Sequence, residues 1–180
     1  MIKATETKLK GCFVIEPTIF KDDRGYFFES FNHREFCKAI GQEVNFVQDN
    51  QSYSKKGVLR GLHFQKGEHA QAKLVSVLDG RIQDVVVDLR KNSPTFGEHL
   101  SIELDNENKR QLFVPRGFAH GFLTLSESAR VLYKCDNYYN PKVECGVRFN
   151  NSKLKINWML DSNHIKLSSK DKSLSKKIFF

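Results

Sequence analysis

Five short segments with strand character, separated by turn signals, most constrain what this chain can fold into. They are Lys73–Leu78, Arg81–Leu89, Gln111–Val114, Gly117–Leu125 and Arg130–Asp136. Asp79-Gly80, between the first two, is typical of a two-residue turn that closes a hairpin. Val85–Val87 is continuously apolar, which indicates a strand covered on both faces. Short strands with turns at this spacing predict an antiparallel β-sandwich or barrel.

One short helix is predicted over Asn32–Ile40. Asn32 is a favourable N-cap, and Glu35 stands three residues later, where a capping box places its acidic partner. Gly41 can end the helix, because glycine readily adopts the left-handed conformation that closes many helices.

Length and composition indicate a single domain. A chain of 180 residues, 39% of them hydrophobic, is long enough to bury a core. No linker, repeat or low-complexity segment divides it, so we expect one domain, 1–180. The last thirty residues are polar with scattered apolar anchors, which predicts an extended segment that wraps around the sheets.

Targeting and cysteine patterns favour a cytoplasmic protein. The segment MIKATETKLKG is charged, and no run of 18 apolar residues is present, so we expect neither a secretory signal nor a transmembrane helix. The cysteines show no Cys-x-x-Cys spacing, which predicts reduced and mostly buried thiols. They are Cys12, Cys37, Cys135 and Cys145.

Much of the net charge of +8 lies near the C-terminus. Residues 151–180 contain seven lysines and two aspartates. This tail lacks the regular interleaving of aromatic residues that stacks nucleic-acid bases. We therefore expect no nucleic-acid partner, whereas a small anionic ligand would need only a few of these charges.

The segment GVLRGLHFQKGEHAQAK, residues 57–73, places one histidine among cations at the end of a strand. If side chains alternate, Gly61, His63 and Gln65 share one face, which is an unusual row for an apolar core. A polar row that faces the interior of a barrel indicates a ligand cavity. The alternative is a structural His63 that hydrogen-bonds to the backbone.

A metal site is the main competing interpretation of the histidines. His63 and His69 lie six residues apart, and the two residues that follow His63 are Phe and Gln. His120 could supply one further nitrogen, but three well-placed ligands with open positions are not evident. The sequence predicts acid–base chemistry that uses no metal and no other cofactor.

Two further residues suit proton transfer, although each has a structural alternative. Tyr133 lies in the middle of a predicted strand, where an aromatic ring commonly packs, but its phenol could also deliver a proton opposite a histidine base. Asp171 is either a carboxylate in the tail or the group that accepts a hydrogen bond from His63 and orients its ring. Arg60 and Lys73 lie on the strands near His63, where cations can hold a diphosphate or neutralise an enolate.

These segments closely resemble the dTDP-4-dehydrorhamnose 3,5-epimerase family, small cupin-like enzymes of deoxysugar-nucleotide synthesis. The similarity runs from DDRGYFFESF (22–31) through RGLHFQ (60–65), PRGFAHGF (115–122) and VLYKCDNYYNP (131–141) to LSSKD (167–171). It implies a mainly β fold, a cupin-type antiparallel β-sandwich or jelly-roll barrel with a few short helices. It also implies metal-independent inversion of C3 and C5 in the nucleotide sugar dTDP-4-dehydro-6-deoxy-D-glucose, by a homodimer that exchanges N-terminal strands.

The resemblance implies roles for individual residues. His63 would be the base, Tyr133 the acid and Asp171 the partner of the base. The enolate formed in this reaction needs a stabilising cation, for which Lys73 is the candidate. Arg24 and Glu29 are expected to reach the site of a neighbouring subunit. Substrate contacts are expected at Arg24, Glu29, Gln48, Asp49, Asn50, Arg60, Lys73, His120, Tyr139, Glu144 and Lys170.

Three alternatives remain open: a single-centre 3-epimerase, a 3,4-ketoisomerase on the same scaffold, and a non-enzymatic cupin module that binds sugars. The related ketoisomerases carry a close His-x-His pair, and Phe64-Gln65 after His63 speaks against that pair. A 3-epimerase would need the same base. The departures from the family pattern, at 147–151 and 172–174, lie away from the acid–base residues.

Overall fold

Two antiparallel β-sheets that pack face to face form most of the structure, a computed structural model that describes residues 2–175. In spatial order, the six-stranded sheet consists of β1 (Ile2–Glu6), β2 (Phe13–Pro17), β10 (Gln111–Val114), β7 (Lys73–Asp79), β12 (Ser128–Cys135) and β5 (Gln48–Lys55). The five-stranded sheet consists of β13 (Glu144–Gly146), β6 (Leu59–Gln65), β11 (Phe118–Thr124), β8 (Arg81–Asp88) and β9 (His99–Asp105). The predicted antiparallel sandwich is confirmed.

The elements outside the two sheets are short. They are the hairpin strands β3 (Phe20–Asp22) and β4 (Gly25–Phe27), the helices α1 (His33–Ile40) and α2 (Ser169–Lys172), and the 3-10 turns Gly67–His69 and Ser162–His164. Within residues 2–175, no helix has the length and apolar character needed to cross a membrane.

The main core lies between the two sheets. Apolar side chains from both sheets meet there, among them Val75 of β7, Ile82 of β8 and Leu112 of β10. Val85 and Val87 of β8 point the opposite way, into a second cluster on the outer face of the five-stranded sheet. Because side chains alternate along a strand, the continuous apolar run of β8 is buried on both faces, as predicted.

The predicted hairpin at Asp79-Gly80 is wrong. β7 and β8 follow each other directly in the chain, but β7 pairs with β10 and β12 whereas β8 pairs with β9 and β11. The turn is therefore a corner at which the chain passes from one sheet to the other. Gly80 has φ +79°, and a Cβ there would lie 2.1 Å from the carbonyl oxygen of Ser128. Only glycine allows the chain to turn so close to β12.

Helix α1 forms where its capping signals predict it. The side chain of Asn32 accepts a hydrogen bond from the backbone N–H of Glu35, and Gly41 adopts the left-handed conformation with φ +70°. The helix buries Phe36 and Ile40 against the outer face of the six-stranded sheet. It therefore covers the side of that sheet that faces away from the main core.

The C-terminal segment covers the outer face of the five-stranded sheet. Leu154 and Trp158 pack against this face, and Ile165 and Leu167 extend the contact. A parallel bridge between Val58 and Lys166 ties the segment to the start of β6. The expected wrap is confirmed up to residue 175, and residues 176–180 of the basic tail lie outside the described residues. Within the described residues, the segment places helix α2 (Ser169–Lys172) against β6.

All four cysteines are free thiols. Three of them are buried and Cys145 is partly buried. The prediction of reduced, mostly buried cysteines agrees with these positions.

Candidate active site

A cavity of about 420 Å³ opens between the two sheets at one end of the sandwich. Its position follows from a change of residue type along the inward faces of the strands. On β7 the inward residues run from Val77 and Val75 to Lys73, and on β12 they run from Val131 to Tyr133. Polar side chains therefore replace the apolar core at this end, which leaves a pocket of a size usual for small-molecule sites.

An irregularity in β6 brings two predicted residues to the same face of the sheet. His63 pairs with His120 on β11, but Arg60 pairs with Phe122, so β6 contains one residue more than β11 between these pairs. Strict alternation would place Arg60 and His63 on opposite faces, yet both line the cavity. This bulge corrects the predicted row, in which Gly61 shared the inward face with His63.

Gly61 makes this bulge possible. Its φ is +124°, and a Cβ would lie 2.6 Å from the Cα of Gly121 on the neighbouring strand. Any other residue would meet both backbone strain and a direct clash with β11. The two glycines let the strands approach closely and determine where Arg60 and His63 point.

His63 and Asp171 form a hydrogen-bonded pair although they are 108 positions apart in the sequence. The Nε2 of His63 lies 2.6 Å from the Oδ1 of Asp171. Burial disfavours the ionised form of Asp171, but the hydrogen bonds from His63 and Ser168 outweigh burial and hold the pKa of Asp171 below its ordinary value. An ionised carboxylate can only accept, so Nε2 carries the proton and donates it. The other ring nitrogen, Nδ1, is then available to accept a proton.

A second histidine and carboxylate lie beside this pair. His120 is the cross-strand neighbour of His63, and its Nε2 lies 2.6 Å from Oδ1 of Asp84 on β8. Asp84 is fully buried, and within residues 2–175 its other oxygen, Oδ2, has no hydrogen-bond partner. The sequence analysis missed Asp84. Its signal was a carboxylate in the middle of a strand that is otherwise buried and largely apolar.

Lys73 and Tyr133 lie on the opposite wall of the cavity, on the six-stranded sheet. The Nζ of Lys73 is 5.6 Å from the centre of the Tyr133 ring. Burial lowers the pKa of Lys73, and burial raises the pKa of Tyr133. The phenol therefore keeps its proton over a wider pH range than an exposed tyrosine, as a proton donor must.

Glu144 holds two other predicted residues at the mouth of the cavity. Its Oε2 accepts hydrogen bonds from the Tyr139 hydroxyl and from the Lys170 ammonium group. Burial disfavours its charge, but these two donors outweigh burial and lower the pKa of Glu144. The carboxylate therefore ties the loop after β12 to helix α2.

The other polar lining residues are held by short local contacts. Arg60 donates to the hydroxyl of Ser54 at 2.9 Å, and Gln48 donates to the side chain of Asn50 at 3.1 Å. The backbone N–H of Tyr139 donates to Gln48. The structure brings eleven predicted residues together around one cavity: Gln48, Asn50, Arg60, His63, Lys73, His120, Tyr133, Tyr139, Glu144, Lys170 and Asp171.

Three predicted residues do not reach this cavity. Asp49 lies between Gln48 and Asn50 on β5, so strand alternation turns it outward, where it pairs with Lys134 at 3.0 Å. The predicted substrate contact at Asp49 therefore has no support from its position. Arg24, whose side chain is 91% exposed, pairs with Asp22, and Glu29 accepts a hydrogen bond from Asn32.

Several lining residues were not predicted as site residues. Their signals are weak in sequence, because glutamine, serine and phenylalanine occur widely in strands. All of them except Ser52 nevertheless stand within segments that the sequence analysis singled out, namely 57–73, 115–122 and LSSKD (167–171), and Gln65 belonged to the predicted inward row. These residues are Ser52, Phe64, Gln65, Gln71, Gly121, Phe122 and Ser168.

One group of potential metal ligands lies among the described residues, and it is outside the cavity. His33 and Cys37 of α1 and the nearby Glu43 place one ligand atom each within 4.8 Å of one another. The Nε2 of His33 lies 2.8 Å from Oε1 of Glu43, and the Cys37 sulfur hydrogen-bonds with the backbone of Val44. These contacts account for the group without an ion.

Comparison with known proteins agrees with this architecture. Residues 6–177 match the family model described as dTDP-4-dehydrorhamnose 3,5-epimerase. The chain is 52% identical over 171 residues to the dTDP-4-dehydrorhamnose 3,5-epimerase of Salmonella typhimurium, which covers 95% of this chain and 93% of that protein.

Solved structures of similar proteins also superpose on nearly the whole of this chain. The crystal structure of dTDP-4-dehydrorhamnose 3,5-epimerase from Elizabethkingia anophelis superposes with a TM-score of 0.93 at 55% identity, over 96% of this chain and 94% of that chain. The dTDP-6-deoxy-D-glucose-3,5-epimerase of Legionella pneumophila, in complex with dTDP-4-keto-L-rhamnose, superposes with a TM-score of 0.92 at 45% identity, over 97% of this chain and 92% of that chain. The chain therefore belongs to the dTDP-4-dehydrorhamnose 3,5-epimerase family.

Proposed function

We propose that this protein is a dTDP-4-dehydrorhamnose 3,5-epimerase that acts as a single domain, 1–180. It inverts C3 and C5 of dTDP-4-dehydro-6-deoxy-D-glucose and releases dTDP-4-dehydro-L-rhamnose. The observation that carries the proposal is the placement of His63 and Tyr133 on opposite sheets, with the cavity between them. Inversion needs a base on one face of the sugar and an acid on the other, and this arrangement supplies both.

His63 removes the proton from carbon. Its Nε2–H is engaged by Asp171, so the reacting atom is Nδ1. As Nδ1 takes the proton, the ring becomes an imidazolium, and the adjacent carboxylate of Asp171 stabilises the new positive charge. The Asp171 contact also fixes the ring plane, so that Nδ1 stays directed at the substrate.

Lys73 stabilises the enolate that this step creates. The hydrogens at C3 and C5 are acidic only because the C4 carbonyl can take up the negative charge as an enolate oxygen. A cation in a largely buried position stabilises such an oxygen more strongly than a cation in water does. Lys73 lies beside Tyr133, so the enolate oxygen and the incoming proton meet the same wall of the cavity.

Tyr133 completes each inversion by delivering a proton from its own wall to the carbon from which His63 removed one. The phenolate that remains is the base form of a group with a raised pKa, so it readily regains a proton. Arg60, at the side of the cavity, suits the diphosphate of the nucleotide. Each step is thereby assigned to a side chain of this chain. We place the reaction in the cytoplasm, where four free thiols persist.

Proton exchange tests this assignment. The enzyme is incubated with the 4-keto sugar nucleotide in deuterated water, and NMR follows C3 and C5. Deuterium at both carbons with inverted product supports the proposal. Exchange at C3 alone would identify a single-centre 3-epimerase, and no exchange at either carbon would identify a binding module.

The proposal includes a homodimer in which the β3–β4 hairpin reaches the partner's cavity. This hairpin exposes large aromatic side chains, with Phe20 58% and Phe27 67% exposed, and it carries the exposed Arg24. Exposed aromatic groups of this size favour burial against another surface. Arg24 and Glu29 do not line the cavity of their own chain, which is what a role in a neighbouring site requires.

Subunit complementation tests the exchange directly. Arg24→Ala and His63→Ala chains are each expected to be inactive alone. If Arg24 serves the partner's cavity, mixed dimers contain one intact site, and random reassociation should restore about one quarter of the wild-type sites. Mixtures that stay inactive although mixed dimers form would place Arg24 in its own chain's site, and an Arg24→Ala chain that is active alone would place Arg24 outside any site.

A further inference from the structure

Ser168 makes two hydrogen bonds to Asp171, and together they close a small ring. As the N-cap of α2, its Oγ accepts from the backbone N–H of Asp171 at 3.1 Å. The same hydroxyl donates to Oδ2 of Asp171 at 2.7 Å. Capping serines commonly make the first of these bonds. The second involves the carboxylate that also holds His63.

The two oxygens of Asp171 therefore have separate partners. Oδ1 accepts from His63 at 2.6 Å, and Oδ2 accepts from Ser168 at 2.7 Å. With both oxygens engaged, the carboxylate cannot rotate about its terminal bond without breaking a charge-assisted hydrogen bond. The orientation of the imidazole then depends on a chain of three side chains: Ser168, Asp171 and His63.

We propose that Ser168 is a positioning residue for the base: its hydroxyl fixes the carboxylate of Asp171 so that His63 keeps Nδ1 aimed at the substrate. This inference rests on the proposed function, because it assigns His63 as the base. It adds a third member to the pair, and that member contacts the reacting ring only through Asp171.

The local structure explains why a helix cap is used for this purpose. α2 contains only four residues, Ser169–Lys172, and a helix this short has little stability of its own. The cap therefore stabilises the turn in which Asp171 stands at the third helical position. Asp171 is buried whereas Ser168 is exposed at the edge of the cavity, so the hydroxyl holds the carboxylate from the solvent side.

The Ser168 hydroxyl also lowers the proton affinity of the His63–Asp171 pair. Its hydrogen bond is one of the contacts that lower the pKa of Asp171. Without it, the carboxylate binds a proton more readily, and the coupled pair takes up a proton at higher pH. The acid limb of the kcat/KM profile should therefore move to higher pH.

The test compares Ser168→Ala with Ser168→Thr and with Lys172→Gly as a matched control. Ser168→Ala should lower kcat about ten- to hundredfold with little change in KM, because a misdirected base slows chemistry more than binding. The acid limb should move to higher pH in the same variant. Ser168→Thr, which keeps the hydroxyl, should restore both kcat and the pH of the acid limb to their wild-type values.

Lys172→Gly weakens the same helix without touching the carboxylate, so it measures the effect of α2 stability alone. It should leave the pH profile unchanged. If Ser168→Ala behaves like Lys172→Gly, with a lower unfolding temperature but an unmoved acid limb, the hydroxyl is only a helix cap and the proposal fails. A Ser168→Thr protein that folds but stays as slow as Ser168→Ala would overturn it as well.

A readout without substrate separates this inference from the proposed function. The proton on Nε2 of His63, held 2.6 Å from a carboxylate, should give a downfield NMR signal that is absent in His63→Ala. Ser168→Ala should broaden or move this signal, and Ser168→Thr should restore it. An unchanged signal in Ser168→Ala would show that Asp171 keeps its orientation unaided, whether or not the protein proves to be an epimerase.

Discussion

His63 and His120 are cross-strand partners in the five-stranded sheet, and each hydrogen-bonds through Nε2 to its own carboxylate at 2.6 Å. Their surroundings differ. The side chain of His63 is 24% exposed to the cavity, whereas that of His120 is 6% exposed and its partner Asp84 is fully buried. The two histidine rings therefore have the same type of partner but differ in their exposure to the cavity. Only His63 has the exposed surface that a base needs to reach a sugar carbon.

Replacing His63 by alanine should abolish proton exchange at both carbons. Loss of a single acid–base group typically costs about a hundredfold or more in rate. Deuterium incorporation at C3 and C5, followed by NMR, measures the effect. His33→Ala on the exposed surface of α1 is the control and should exchange at the wild-type rate. A folded His63→Ala protein that exchanges both protons normally would remove His63 from the role of base.

Replacing Tyr133 by phenylalanine should have a different effect. The ring and its contact with Lys73 remain, but the proton donor is lost. Enolate formation at His63 should survive, so exchange continues, while completed inversion falls at both C3 and C5. Comparing deuterium incorporation with formation of the L-sugar in the same sample separates the two. If both rates fall equally, the phenol acts before the enolate forms.

The alkaline limb of activity should report Lys73. Its ammonium group is charged below its pKa and neutral above it, and burial lowers that pKa from the ordinary 10.5. Burial raises the pKa of Tyr133, so the loss of the phenol proton moves in the opposite direction, to higher pH. The rate should therefore fall at a pH below the range of an ordinary lysine. Lys73→Met should be nearly inactive at every pH, and its residual rate should lack this limb.

Gly61→Ala should both destabilise the fold and misplace the base, His63. The added methyl group would meet the backbone of Gly121 at 2.6 Å, at a φ that only glycine readily adopts. We expect a loss of about 2 kcal/mol or more in the free energy of unfolding, measured by urea titration. Gly67→Ala is the matched control, because its φ is +61° but no atom lies within 4 Å of the new Cβ.

The Gly67→Ala control should cost about 1 kcal/mol and leave the chemistry intact, since only backbone strain is added. Equal losses of unfolding free energy in the two variants would mean that the close approach of β6 and β11 does not contribute to the cost of Gly61→Ala. Activity retained by Gly61→Ala at temperatures where it is folded would show that the bulge does not position Arg60 and His63.

Sequence motifs, together with the family resemblance that they carry, predict much of the site. Motif segments pointed to His63, Tyr133 and Asp171, and all three line one cavity. The prediction failed where the outcome depended on strand partners. Asp79-Gly80 suits a hairpin, yet it turns a corner between sheets because β7 and β8 each pair with other strands. A turn sequence describes the bend of the chain but not which strands lie on either side of it.

Periodicity and local backbone preferences in the sequence are enough to predict the strand-rich architecture and the capped helix, and the motifs shared with the family indicate most of the cavity residues. Which side chains meet depends on the tertiary structure. Asp49 turns outward between two lining residues, Arg60 joins His63 through one extra residue in β6, and Asp84 comes to His120 from the next strand. Strand register and sheet pairing bring together groups that are far apart in the chain, so these contacts cannot be predicted from any local sequence pattern.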